Sequence, residues 1–174
     1  MPTRSLPRSI ATLLERFRGC FTAPTFEVFC ALAVGFWAQP QVRTVTGMLV
    51  AAGLSATWHH SRAHRFFATA RWSADQLGLC LLDLILAVLV DADAPVRLVA
   101  DDTLFRRSGR KVYGAAWHHD PLGVGRHPIA WGNNWVVVGV LVDLPMLPHR
   151  SVCLPVLARL WWPGHTPGRL ELAV

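Results

Sequence analysis

The sequence predicts an α+β chain: an all-helical N-terminal region followed by a shorter antiparallel β-rich region. Three observations lead there. Apolar residues recur at helical spacing through the first ninety positions. From residue 95 onward short β-branched runs take over, in PVRLVADDT, WGNNWVVVGVLVDLP and SVCLPVLARLWW. The composition, 52% hydrophobic and 16% charged, supports a buried core and excludes a disordered chain. A length of 174 residues suits one compact domain or two small ones. The change of pattern places the expected boundary at 92/93.

Each element has its own signal. In SLPRSIATLLERFRG, Ile10, Leu13, Leu14 and Phe17 form one helical stripe, and Gly19 ends it. A second helix is expected from Pro24 to about Trp37. A third covers RTVTGMLVAAG and stops near Gly53. A fourth runs through His59, Arg62, Arg65 and Phe67, with Ser55 or Thr57 as its N-cap. The fifth, from about Ser73 to Val90, is apolar nearly all round and is expected to be central. PVRLVADDT then reads as a buried strand. Residues 103–130, with Gly109, Gly114, Gly123 and Gly125, read as a long loop or irregular hairpin. Residues 131–145 and 151–162 read as two strands joined by a hairpin through Pro148. PGRLELAV starts a new helix. Three strands with nothing after them leave a sheet face bare, which suggests a domain cut short.

Charge and cysteine content narrow the function. The net charge is +6, and Lys111 is the only lysine among the seventeen Lys and Arg residues. Arginine offers a planar fork of donors to phosphate, so a polyanionic partner is expected. The four cysteines, Cys20, Cys30, Cys80 and Cys153, include no C-x-x-C pair and lie in apolar contexts, which fits a reduced, cytoplasmic setting. Mean hydropathy is +0.33. Yet the longest apolar runs, 25–38 and 77–90, each hold an acid and fall short of the roughly 20 residues a bilayer-spanning helix needs. No membrane association is expected.

The chemistry concentrates in DDTLFRRSGRKVYGAAWHHD. Two carboxylates, Asp101 and Asp102, end an apolar strand and precede Arg106, Arg107, Arg110 and Lys111. A strand-end carboxylate is a common seat for Mg²⁺, which prefers hard oxygen ligands, and neighbouring cations would hold a phosphate backbone. The alternative is a turn or cap, since Asp is a frequent turn former. A helix-turn-helix is expected from TVTGMLVAAG, LSAT and WHHSRAHRFF, with Arg62 and Arg65 on one face toward DNA. The alternative there is an amphipathic helix with Trp58, Phe66 and Phe67 in the core. His60 and His64 are spaced as a zinc pair but lack further ligands. His118, His119 and Asp120 read as a solvated loop. Asn133 and Asn134 read as a cap or turn, and Trp135 as core.

DDTLFRRSGRKVYGAAWHHD, AWGNNWVVVGVLVDLP and LPVLARLW together resemble the catalytic-core opening of DDE-type transposases of bacterial insertion sequences. RTVTGMLVAAGL and HRFFATARWS resemble that family's N-terminal helical region. The resemblance covers roughly residues 40 to 165. It implies a ribonuclease-H-like core whose first three strands are antiparallel, with Asp101 as the first catalytic and metal-holding Asp, in the pattern Asp-x-Thr, and Asp102 as the alternative. It implies Mg²⁺ or Mn²⁺ in a complete enzyme, with none stably held by this chain. It also implies transposon-end DNA as partner, contacted by Arg62, Arg65, Arg106, Arg107, Arg110 and Lys111. A second catalytic Asp and a Glu belong later in that pattern. Asp120 and Asp143 come too early, and Glu171 is the only Glu after Glu27. The expectation is therefore an inactive, truncated transposase. The alternative is a non-catalytic fragment that binds DNA, forms a homodimer or pairs with full-length transposase.

Overall fold

The computed structural model describes residues 7–39, 44–120, 122–126, 128–164, 168 and 171–173. The chain is α+β, as expected. Five helices come first: α1 (Arg8–Glu15), α2 (Ala23–Ala38), α3 (Val45–Ala51), α4 (His60–Ala68) and α5 (Ala74–Leu89). Four strands follow: β1 (Arg97–Arg106), β2 (Ala116–His119), β3 (Ile129–Asp143) and β4 (Ser151–Trp161). Two compact units result, Met1–Cys80 and Leu81–Val174, with the division inside α5.

Local chemistry explains the helix ends. Pro24 lies in the first turn of α2, where its missing N–H costs nothing. Thr44 caps α3 by accepting from the Gly47 N–H at 3.1 Å. Past α3 the chain turns at Gly53, whose φ of 71° suits a residue without a Cβ. The fourth helix is not capped by Ser55 or Thr57. Those residues belong to the turn, and His59 caps α4 by accepting from the Ser61 N–H at 3.3 Å. Ser73 accepts from the Gln76 N–H at 3.2 Å at the start of α5.

The first unit closes around Val28, Leu32, Leu49, Ala63 and Phe66, with Phe21, Phe29, Met48, Trp58 and Trp72 packed against them. Trp58 and Phe66 therefore serve the core, while Phe67 is 57% exposed. Helices α2 and α3 meet closely. A Cβ on Gly35 would stand 2.0 Å from the Met48 carbonyl oxygen, so only glycine fits there.

In the second unit β3 is the central strand. It pairs antiparallel with β1 along Gly132–Leu141, with β4 along Asn134–Asp143 and with β2 along Ile129–Gly132. Gly132 faces Arg106 on one edge and Ala116 on the other, so β2 and β4 share the edge opposite β1. The three expected strands are present and the hairpin joins β3 to β4. Pro155 lies at the bulge in that ladder, where a missing N–H is tolerated. A fourth strand, β2, forms within the stretch expected to be a long loop or irregular hairpin, and pairs with the start of β3.

Alternation divides β3. Asn134, Val136, Val138, Val140 and Val142 are all buried. The Val140 and Val142 part of that face is covered by Ile85, Leu81, Leu82 and Leu86 of α5. Only one side of α5 is used in this way: Val88 and Leu89 are exposed, so the helix is not central on all sides. No helix among the described residues is long and apolar enough to cross a membrane.

A candidate carboxylate site on the first strand

Strand β1 was expected to be buried and to end at the aspartates. Instead it continues through Thr103, Leu104 and Phe105 to Arg106, and nearly all of it is exposed. The cause is pairing: β1 lies along one edge of β3 and has no described strand on its other side. Ten residues of β3, Gly132 to Leu141, hold it in register. Asp101 and Asp102 therefore sit in mid-strand.

Adjacent residues of a strand point to opposite faces. Asp102 stands opposite Val136 and shares the face of Asn134, Val136 and Val138. Asp101 stands opposite Val137, on the face of Thr103, Phe105, Asn133 and Trp135. Asp101 Oδ1 accepts from the Asp102 N–H at 2.8 Å. Asp102 Oδ2 accepts from Asn134 Nδ2 at 3.1 Å. Asn134 is 3% exposed, and its Oδ1 has no hydrogen-bond partner. Arg159 is opposite Val136 on β4 and donates to the Leu172 carbonyl at 3.0 Å. Trp161 is opposite Asn134, and its ring lies 5.8 Å from that of His118. Asn134, Arg159, Trp161 and His118 thus give the Asp102 face a polar end, whereas α5 covers its apolar end.

The Asp101 face carries the basic segment. Trp131 Nε1 donates to the Gly109 carbonyl at 3.0 Å, and Asn133 Nδ2 donates to the Tyr113 carbonyl at 2.9 Å. These bonds fold residues 107–115 onto the sheet. Arg107 donates through Nε to Asn133 Oδ1 at 2.9 Å. Arg106, opposite Gly132, is on the Asp102 face instead; there it pairs with Asp120, its Nε 2.9 Å from Oδ2, and the Asp120 Oδ1 accepts from the Leu122 N–H. Arg110 and Lys111 are exposed at the turn.

In the first unit Arg62 is half-buried, paired with Glu27, and stacks over Trp58 with its guanidinium 3.7 Å from the ring centre. Arg65 is exposed on α4. The six expected cations are thus of three kinds. Arg62, Arg106 and Arg107 have side-chain partners, Arg65 reaches only the Ser61 carbonyl of its own helix, and Arg110 and Lys111 face solvent.

Several residues stand elsewhere than their sequence context suggests. His118 and Asp120, expected in a solvated loop, are 4% and 5% exposed. Asn133 and Asn134 are not caps: both are buried inside β3, one bonding to each face. Two amides inside a β-branched run were the available signal, because a buried strand interior tolerates amides only where they find partners. The rings of His60 and His64 are 5.9 Å apart. Among the described residues no three His, Cys, Asp or Glu side chains converge on one point. All four cysteines are free thiols, and Cys153 is exposed rather than core.

An orphaned amide oxygen beside a carboxylate is a set of hard donors, the kind that suits Mg²⁺ or Mn²⁺. No curated protein and no solved structure matches the chain. A family model described as DDE superfamily endonuclease matches residues 16–171, which takes in helices α2 to α5, β1 with its two aspartates, the basic turn and the β3–β4 hairpin. Proteins of this superfamily are endonucleases that act on DNA and generally use divalent metal ions, and this chain belongs to the DDE superfamily endonucleases.

Proposed function

We propose that the protein is a transposase of the bacterial insertion-sequence type, acting in the cytoplasm on transposon-end DNA through a ribonuclease-H-like core. The observation that carries this is the carboxylate pair in mid-β1, followed at once by a basic turn pinned to the same sheet. When bound, a Mg²⁺ or Mn²⁺ pair activates the attacking oxygen and stabilises the leaving oxygen of an in-line displacement at phosphorus. The chain's own part is to present one carboxylate from β1 and to hold the phosphate backbone with Arg110, Lys111 and Arg65. In the cleavage step a water oxygen bonds to phosphorus, the bond to the 3′-oxygen breaks, and that oxygen leaves with a proton. In strand transfer a 3′-hydroxyl takes the place of water.

Asp101 fits the family's Asp-x-Thr pattern, and Asp102 is the alternative. Because they face opposite sides of β1, one substitution at a time separates them. A two-ion site would need several converging carboxylates, and no such group is found among the described residues. The proposal therefore includes a second polypeptide, such as a full-length transposase, that supplies the others. A non-catalytic DNA-binding role is the second reading, favoured by the same missing convergence.

The test is cleavage of DNA carrying the element's ends. Residues 1–174 alone are expected to bind this DNA without nicking it, in Mg²⁺ or Mn²⁺. Supplying the remaining carboxylates on a second polypeptide is expected to give cleavage that one of Asp101→Asn or Asp102→Asn abolishes. Robust nicking by the isolated chain would overturn the need for a partner. No cleavage in any combination would leave the DNA-binding role in its place.

A further inference from the structure

We infer that Asn134 is a positioning residue for Asp102, and that the pair seats the divalent cation on the α5 face of the sheet rather than on the Asp101 face. This rests on the metal-dependent reading above and goes one step beyond it, to which face holds the ion and which side chain prepares it.

Four observations converge. Asn134 lies two residues from Val136, the direct partner of Asp102, so the two side chains are diagonal neighbours on one face. The amide is 3% exposed, and its Nδ2 reaches Asp102 Oδ2 at 3.1 Å. A donor fixed inside the sheet holds an otherwise exposed carboxylate in one orientation. The bond also settles the direction of the amide, because a carboxylate oxygen accepts only from the nitrogen end. The amide oxygen is then left buried with no partner. A buried acceptor without a donor is costly and rare, and a hydrated cation on Asp102 would supply one through a water in its shell. Asp101 has no equivalent: its Oδ1 accepts from the next backbone N–H, and the amide on its own face, Asn133, is engaged at both ends, by Arg107 and by the Tyr113 carbonyl. Of the two neighbouring amides in GNNW, one locks the basic turn and the other is left to serve a carboxylate.

The chemistry expected of a supporting side chain follows. Partners that orient a metal-holding group typically change metal affinity by about 10–100-fold when removed. The experiment is Mn²⁺ binding to residues 1–174, followed by electron paramagnetic resonance with Mg²⁺ as competitor, together with thermal melts of each variant. Asp102→Asn is expected to remove the Mg²⁺-competed site. Asn134→Leu is expected to weaken it by about tenfold or more. Asn134→Asp, nearly isosteric, is expected to tighten it, since it places a second carboxylate beside the first; a purely structural role for Asn134 would not strengthen binding. If Asn134→Leu does not fold, Asn134→Asp still decides the matter.

Loss of the site in Asp101→Asn, with Asp102→Asn and the Asn134 variants unchanged, would overturn this inference while leaving metal-dependent cleavage standing. Equal binding by all variants would place the ion elsewhere and overturn it too. Absence of any Mg²⁺-competed Mn²⁺ binding in the wild-type chain would overturn both the inference and the metal-holding role given to β1.

Discussion

Single residues decide several local outcomes. The Cys30 thiol is pushed up from 9.0 to about 11, first by burial and then by the nearby Glu15 carboxylate. Folding therefore favours the protonated thiol. Its contribution to stability is full below pH 9 and is lost as pH rises from 9 to 11. At any pH below 9 its thiolate fraction is roughly a hundredfold below that of an ordinary cysteine, so iodoacetamide is expected to label exposed Cys153 well before Cys30. Mass spectrometry of timed alkylation checks this, and equal labelling would contradict it. Gly35→Ala places a methyl group against the Met48 carbonyl oxygen. The helices must separate, and a loss of about 1–3 kcal/mol is expected in urea unfolding. A change below 0.5 kcal/mol would mean that α2 and α3 pack less closely than described.

At the scale of elements, the charged residues sort by what they already hold. Arg106 is largely exposed, yet its partner Asp120 is almost wholly buried. Arg106→Ala leaves that carboxylate with only the Leu122 N–H, and about 1–2 kcal/mol of stability is expected to go, with solvent screening reducing the larger cost of a fully buried pair. A DNA-binding test based on Arg62, Arg106 and Arg107 would therefore disturb folding as well as binding. Arg65, Arg110 and Lys111 give the cleaner test. Replacing each by Gln is expected to lower the steepness of log K against log[salt] by about 0.9 per lost phosphate contact, with unchanged melting temperature. An unchanged slope would make them solvated surface only.

The helices were legible because a 3.6-residue apolar repeat is local, and Pro24, Gly53 and Ser73 mark their ends. The fourth cap was not, since Ser55, Thr57 and His59 are all able to accept and only the turn geometry chooses. Strand β1 looked as if it stopped at the aspartates because polar residues follow. The ladder to β3 carries it on to Arg106, and no local signal reports a partner some thirty residues away. The same holds for β2 and for the buried amides, whose roles exist only once β3 is central. Asp101, Asp102 and the basic run could be seen in the sequence. That the two aspartates face opposite sides depends on the run being a strand through both, and that Asn134 serves only one depends on register.

For the whole molecule, the central proposition is that a divalent cation sits beside β1, between the chain and its DNA. Fe²⁺ can replace Mg²⁺ in hard-oxygen sites, and with ascorbate and peroxide it cuts the polypeptide near where it is held. Iron-directed cleavage of residues 1–174, with fragments read by mass spectrometry, tests the position without requiring catalysis. Cuts are expected around 100–104 on β1 and 132–136 on β3, suppressed by excess Mg²⁺ and absent in Asp102→Asn. Cuts confined to the His60 and His64 turn of α4, or cuts that Mg²⁺ does not suppress, would contradict a metal site on the first strand.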